Sequence, residues 1–248
     1  MLELDIHTHS IASGHVSTAT ILDMVRSAAE KRLKLIGISD HAPATQDSCK
    51  EGYFRSLKIT PRKRLGIEVM YGVELNILNK NGDVDLPDSI LKDLDYAIAS
   101  MHTQNILPGT KEENTNTYLN VIKNPYVTII GHADDTQYPV DYEILVKAAV
   151  ENQVLLEINN VSLIPDSYRG NALPNTLEIL KYCKKYNHPV IFSSDSHGAE
   201  DVGDFHYALL AMHRAEFPRL LVLNDDMEKF KAFIAKRKSI KQNQIRHF

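Results

Sequence analysis

The sequence predicts an α/β fold in which a parallel sheet closes into a barrel, and three observations carry that expectation. Short apolar runs alternate about seven times with segments of helical period, which implies a parallel sheet flanked by helices. Several of these runs are almost continuously apolar, as strands covered on both faces must be. The first run is followed by His7-Thr8-His9-Ser10 and not by the Gly-rich phosphate loop of a doubly wound nucleotide-binding sheet. That absence favours the barrel.

The strand candidates are residues 2–7, 35–39, 67–73, 96–100, 127–131, 154–158 and 190–193. Between the first two, residues 17–31 read as a helix with Ser17 and Thr18 as N-cap candidates and Ile21, Leu22, Val25, Ala28 and Ala29 on one face. After the third strand, Asn81-Gly82 reads as a tight turn. Asp141 can cap a helix running to about Glu151 with Ile144, Leu145 and Ala148 inward. Pro174 suits the first turn of a helix reaching Tyr186, with Leu177, Leu180 and Cys183 on its stripe. A last helix begins near Asn224, with Asp225 and Asp226 in its first turn and Met227, Phe230 and Ile234 inward. No repeat, low-complexity tract or linker interrupts the alternation, so residues 1–248 are expected to form one domain, with a basic tail from about residue 236.

Composition excludes several classes. A formal net charge of −4 gives no global field for nucleic acid or anionic lipid, so neither is expected as a partner. The basic stretch Lys236, Arg237, Lys238 and Lys241 reads as a solvated tail. Two cysteines, Cys49 and Cys183, make neither a disulfide framework nor a C-x-x-C pair. The N-terminus shows no signal-peptide pattern and no run reaches the length of a membrane span, so a cytoplasmic location is expected.

Histidine decides the functional reading. The predicted strand ends carry His7 and His9, then His41, Glu74, His102 and His132, and finally Asp195 with His197; His15 follows on the first loop. Only the sixth strand, ending at Asn159 and Asn160, brings no imidazole or charged ligand. In a parallel barrel all these ends open on one face, where active sites are built. Seven of the 11 histidines would therefore converge on one mouth. Neutral imidazole and carboxylate suit zinc, manganese or iron, and nine ligands exceed the needs of one tetrahedral ion. At three or four ligands per metal, with a carboxylate able to bridge, the set serves two or three ions.

The order His7-x-His9, His15, Ser39-Asp40-His41, Gly72-Val73-Glu74, Ser100-Met101-His102, Gly131-His132 and Ser194-Asp195-Ser196-His197 resembles the polymerase and histidinol phosphatase (PHP) superfamily. Within it, the chain looks most like the short stand-alone bacterial phosphatases. The resemblance covers residues 2 to about 235 and implies a distorted (β/α)7 TIM-like barrel. It also implies three divalent ions, zinc first with manganese or iron as alternatives. One would be held by His7, His9, Glu74 and Asp195; a second by Glu74, His102 and His132; a third by His15, His41 and His197. Gly131-His132-Ala133 departs from the Gly-His-Pro common in related sequences, which bears on loop shape alone.

On the substrate side, Arg169, after the sixth strand, is the candidate phosphate anchor, because charge not neutralised by metal needs a guanidinium. Lys111, in the loop after His102, is a rim candidate, as is Tyr138, and Asp40 is placed either to orient an imidazole from behind or to cap a helix. His188, His206, His213 and His247 match nothing in the pattern and read as surface or packing residues. The expected activity is hydrolysis of a small phosphomonoester by a metal-bridging hydroxide, with Glu74 and Asp195 central to catalysis and a small phosphorylated molecule as partner. Phosphodiester or exonucleolytic cleavage, or action on nucleotides, is the alternative; a metal-binding module without turnover is a third. A homo-oligomer is compatible with all three.

Overall fold

The computed structural model describes residues 2–245, with side chains through residue 239. The seven runs become parallel strands: β1 (Leu4–Asp5), β2 (Leu35–Ile38), β4 (Ile67–Tyr71), β5 (Glu74–Asn76), β6 (Ile98–Ser100), β7 (Ile129–Ile130), β8 (Leu155–Asn159) and β9 (Val190–Ser193). The extra count arises because the third run breaks at Gly72-Val73 into β4 and β5. A short β3 (Lys63–Arg64) adds an antiparallel edge to β4.

Two sheets result, ordered β1-β2-β4-β3 and β5-β6-β7-β8-β9. They meet at both margins through isolated parallel bridges, His41 with Glu74 and Thr8 with Ser196. The ring is thus a distorted barrel, thinnest where its metal-ligand candidates lie. Tyr96 explains the break. Its buried ring crosses the interior and its hydroxyl donates to Ile6 O (2.6 Å), so a Cβ on Gly72 would come within 2.6 Å of that ring. Gly37 faces the same ring, and a Cβ there would meet the hydroxyl at 2.3 Å.

Among the described residues, eight α-helices pack around the strands. α1 (Ile21–Glu30) is capped by Thr20, in a reciprocal box with Asp23, and not by Ser17 or Thr18. Its buried residues are Met24, Val25 and Ala28, while Leu22 is exposed. α2 (Glu51–Ser56), α3 (Asp88–Leu91) and α4 (Lys111–Val121) carry no strong apolar stripe, whereas α7 (His206–Arg214) buries Ala208, Ala211 and Met212; none of the four was expected. α5 (Tyr142–Asn152) starts from Asp141 as predicted but leaves Ile144 exposed, whereas α6 (Leu173–Lys185) buries Leu180 and Cys183 as expected. The Asn81-Gly82 turn is present, with Ile77 and Val84 bridged antiparallel across it.

Two hydrophobic clusters divide the interior. The larger lies between strands and helices; the smaller gathers Leu4, Ile6, Leu35, Tyr96, Ile98, Ile129, Leu155 and Ile191 with Phe230 and Ile234 of α8 (Met227–Ile245). The last helix therefore packs on the barrel interior at its base, and Arg237 and Lys238 are not part of a solvated tail. Arg237 is fully buried and donates to four carbonyls, those of Val127 (3.1 Å), Asn152 (2.8 Å), Ile122 (2.7 Å) and Asn124 (2.8 Å). Lys238 donates to Leu94 O at 2.6 Å. Lys236 is exposed as expected, and the side chain of Lys241 lies outside the described residues. Among the described residues no helix is long and apolar enough to cross a membrane.

Candidate metal centre

Side chains two residues apart share a strand face, so each strand that begins with an apolar interior residue carries that face upward into the site. On β8 the face runs Leu155, Glu157, Asn159; from β9 it runs Ile191, Ser193 and then Asp195. Polarity rises toward the mouth, and the histidines from the other strand ends surround these residues. His7, His9, His41, His132 and Asp195 are all buried.

Glu74 occupies the centre. Its Oε1 lies 3.0 Å from His132 Nε2 and 3.3 Å from His102 Nε2. Its Oε2 lies 2.7 Å from His41 Nδ1, 3.5 Å from His7 Nε2 and 3.7 Å from His9 Nε2. Asp195 Oδ1 stands 3.1 Å from His9 Nε2 and 3.5 Å from His7 Nε2. Three groups bring one ligand atom per residue within 4.8 Å of each other: His7, His9 and Asp195; His41, Glu74 and His102; and His9, His41 and His197. His15 is exposed at the rim, its ring 5.8 Å from that of His41 and 5.6 Å from that of His197.

Hydrogen bonds on the outer faces of the rings orient the inner nitrogens. His7 Nδ1 meets Glu157 Oε1 at 2.5 Å, and His102 Nδ1 meets Asn76 Oδ1 at 2.7 Å. His197 Nδ1 meets the Asp195 carbonyl at 3.0 Å. His9 Nδ1 lies 3.1 Å from Ser13 Oγ, which itself donates to Asp40 Oδ1 at 2.8 Å. Since a carbonyl or carboxylate can only accept, and Ser13 has given its proton to Asp40, each Nδ1 carries the hydrogen. The Nε2 atoms of His7, His9, His102 and His197 are thereby the ones left to face the cluster. Asp40 orients a ring from behind, through Ser13, as its position suggested.

Buried polar atoms are almost always partnered. Of the seven described ones that are not, four belong to these rings: His7 Nε2, His41 Nδ1, His132 Nδ1 and His197 Nε2. The charges follow the same division. Burial favours the neutral acid, yet His7, His102 and His41 hold Glu74 well below the usual carboxylate range, and His7 and Arg169 do the same for Asp195. Burial, with the neighbouring His197 and His41 rings, pushes His9 well down, and burial takes His102 to about 4. Burial resists charge on His7 too, but Glu157, Asp195 and Glu74 overcome it and raise that ring well above its ordinary value. Anionic oxygens beside imidazole nitrogens, those of His9 and His102 held neutral, form without thiolate a donor set that fits borderline divalent cations.

Three candidate ligands have strained backbones: φ is +33° at His15, +24° at His132 and +52° at Asp195. Such conformations cost of order 1–3 kcal/mol each and persist where surrounding structure imposes them.

A cavity of about 390 Å³ opens over the cluster, walled by His15, His41, His102, Asp195 and His197 on one side and by Tyr168, Arg169 and Asp135 among others. Arg169 is buried, bonded through Nη2 to Asp195 Oδ2 (2.9 Å) and through Nη1 to Asn159 Oδ1 (3.2 Å), with Tyr168 stacked 4.8 Å from its guanidinium carbon. Lys111 is not in the loop after His102 but opens α4, where it is exposed, 3.9 Å from Asp141 and away from this cavity. Tyr138 is likewise no rim residue: it is buried, its hydroxyl donating to Ile106 O at 2.7 Å. His188 is buried with Nε2 2.9 Å from Val154 O, His206 and His213 are exposed on α7, and His247 lies outside the described residues. Glu157 is the polar group that strand-end reasoning missed. The sixth strand does bring a charged group to the site, two residues before its end.

Fold and site together define a parallel-barrel protein with a clustered histidine–carboxylate metal site at the C-terminal ends of its strands. The chain belongs to the PHP domain family, whose profile matches residues 5–244. It is 40% identical over 238 residues to a probable phosphatase of Clostridium novyi (strain NT), covering 96% of each chain. A probable phosphatase of Thermoanaerobacter sp. (strain X514) is 41% identical over the same share of both. Among solved structures, the fold resembles histidinol phosphate phosphatase from Lactococcus lactis subsp. lactis Il1403, which was crystallised with zinc, L-histidinol and phosphate. The TM-score is 0.62 at 21% identity, over 88% of this chain and 95% of that one.

Proposed function

We propose that this chain is a metal-dependent phosphatase that hydrolyses a small phosphomonoester at a site holding three divalent ions, zinc first with manganese or iron as alternatives. One observation carries the reading: four imidazoles have their outer nitrogens hydrogen-bonded and their inner nitrogens turned inward, those of His7, His9 and His102 toward Glu74 and Asp195 and that of His197 without a partner. That arrangement has no structural purpose in a metal-free core, where paired imidazoles would be the cheaper solution. The family and the phosphatases among its relatives point the same way.

The residues divide the work. His7, His9 and Asp195 are grouped to hold one ion with Glu74. Glu74 Oε1, facing His102 and His132, would suit a second, so that Glu74 would be shared between the two. His41, His197 and the rim residue His15 would take the third. The geometry favours one amendment: His9 Nε2 lies close enough to His41 and His197 to compete for that ion. Divalent ions supply Lewis acidity, polarising phosphoryl oxygens and lowering the pKa of water for attack on phosphorus. Arg169 borders the same cavity and is proposed to bind a phosphate oxygen while Asp195 and Asn159 fix its plane.

The cavity also speaks to the ester. Its volume, about 390 Å³, suits a small ligand. Its described lining has one arginine, no lysine and no row of aromatics, so it lacks the basic stacking groove that a nucleic-acid strand requires. The phosphomonoester reading therefore leads the diesterase one.

The test is metal analysis of purified protein, joined to a screen of phosphate release from sugar, amino-alcohol and nucleotide esters. Two to three metals per chain and turnover of a small monoester, abolished in His9→Ala, are expected. Metal uptake with no turnover on any ester would overturn the catalytic reading.

A further inference from the structure

Glu157 sits beneath the site and outside the cavity, wholly buried. Four donors point at its two oxygens, two to each. Oε1 accepts from His7 Nδ1 at 2.5 Å and from the Ser193 hydroxyl. Oε2 accepts from the backbone N–H of His132 at 2.6 Å and from Asn159 Nδ2 at 3.1 Å. One carboxylate thus ties together the ends of β1, β7 and β9 from its place on β8. It reaches two candidate ligands by different routes, one through its ring and the other through a backbone held at φ +24°.

Resting on the metal reading above, we propose that Glu157 is a positioning residue for the metal centre. It fixes His7 in the Nδ1–H tautomer, with Nε2 facing the metals, and it anchors the strained peptide that presents His132. Among the described residues, no other group takes the proton of His7 Nδ1. Without that acceptor, nothing would keep the hydrogen off Nε2, the nitrogen that faces Glu74 and Asp195. The carboxylate form is required. Glutamine has the same shape, but its amide nitrogen can accept nothing. Placed at Oε1, that nitrogen would turn a hydrogen toward His7 Nδ1 and favour the Nε2–H form; placed at Oε2, it would face the His132 N–H and Asn159 Nδ2, which can only donate.

The test measures the affinity of Zn2+ for wild type and Glu157→Gln by competition with a chromogenic chelator, alongside the thermal midpoints of both metal-free proteins. Affinity for at least one ion is expected to fall ~10–100-fold, the usual consequence of losing the partner behind a histidine ligand. Independently, 15N spectra of histidine-labelled, zinc-loaded wild type should show His7 protonated at Nδ1 and bound through Nε2. That measurement decides the matter even if Glu157→Gln does not fold. Unchanged zinc affinity in a folded variant, or His7 bound through Nδ1, overturns the proposal while leaving the metal centre standing. A wild-type protein that takes up no zinc, manganese or iron overturns both.

Discussion

At the base of the barrel, Arg237 is buried with no carboxylate partner among the described residues, yet its donors meet four carbonyls, two of them just after α4 and one at the last residue of α5. The negative ends of two helix dipoles thus stand in for a counter-ion. At the mouth, side chains drawn from His7 through His197 converge on the opposite solution: buried imidazole nitrogens without partners, like-natured rings 4.3 Å apart, and ligand candidates on strained backbones. Both ends hold buried polar groups, but only the base is complete by itself. The mouth is assembled so that another species, a cation, must complete it. Stability and function are therefore written at opposite ends of the same strands.

The hardest blow to this division is Glu74→Ala. Because that carboxylate faces five imidazoles, its loss should uncouple at least two ions, lowering turnover by about 10³-fold, or ~4 kcal/mol in the barrier. Stability should respond differently. The gap between metal-loaded and metal-free urea midpoints, open in wild type, should close in the variant. Phosphate release near the wild-type rate would mean that no bridging carboxylate organises the site.

Arg237→Met breaks the other end. Four carbonyls lose a charged donor in a buried place, at a cost on the order of 3 kcal/mol in unfolding free energy. Turnover per folded molecule should stay within about twofold, since nothing at the base touches the cavity. If urea titration shows no loss of stability, or the activity falls with it at constant folded fraction, the two ends are not separable.

How legible each end was in the sequence follows from the same contrast. Ligand candidates at strand ends could be read because a parallel barrel turns position along a strand into position in space. Glu157 was passed over because it precedes its strand's end by two residues, although a charge within Val154-Leu155-Leu156-Glu157-Ile158 was itself the signal, since a buried carboxylate needs partners. Arg237 was hidden by composition. A run of lysine and arginine suggests a solvated tail, yet Phe230, Ile234 and Arg237 follow i, i+4, i+7 and so lie on one helix face. α4 was missed for a third reason: its buried residues include Asn114, Thr115 and Thr117, which leave no apolar stripe to detect. The break at Gly72 needed knowledge of Tyr96, 24 residues away, crossing the interior.

Chelation sharpens the comparison without mutation. If the mouth is completed by cations that bind only the folded chain, removing them from protein held at about a hundredfold excess over the dissociation constant should cost ~2.7 kcal/mol per site. The loss should appear as a lower thermal midpoint in excess chelator, restored by adding back zinc or manganese. Arg237→Met should show the same metal-dependent increment as wild type. An increment that vanishes in that variant would show that the base and the mouth are coupled.

The smallest effect is expected from His188, a buried imidazole near the base that contrasts with those at the mouth. Its Nε2 bonds to Val154 O, its ring meets Phe233 edge-on, and burial lowers its pKa below the ordinary 6.5. The ring is therefore neutral when folded, and its Nε2 carries the hydrogen. Above pH ~6.5 neither folded nor unfolded chain protonates it, and its contribution is constant. As pH falls, the unfolded chain takes up a proton before the folded one, so stability is lost from about pH 6.5 downward, until the folded ring also titrates. The slope cannot exceed ~1.4 kcal/mol per pH unit for one group, and a total near 1 kcal/mol between pH 7 and 5.5 is expected. His188→Gln, which keeps a donor for Val154, should remove this component. Comparing the two chains, both metal-free, cancels the titration of the mouth histidines. Parallel stability curves over that range would show that His188 ionises no differently in the folded protein, and that its burial is not what sets its charge.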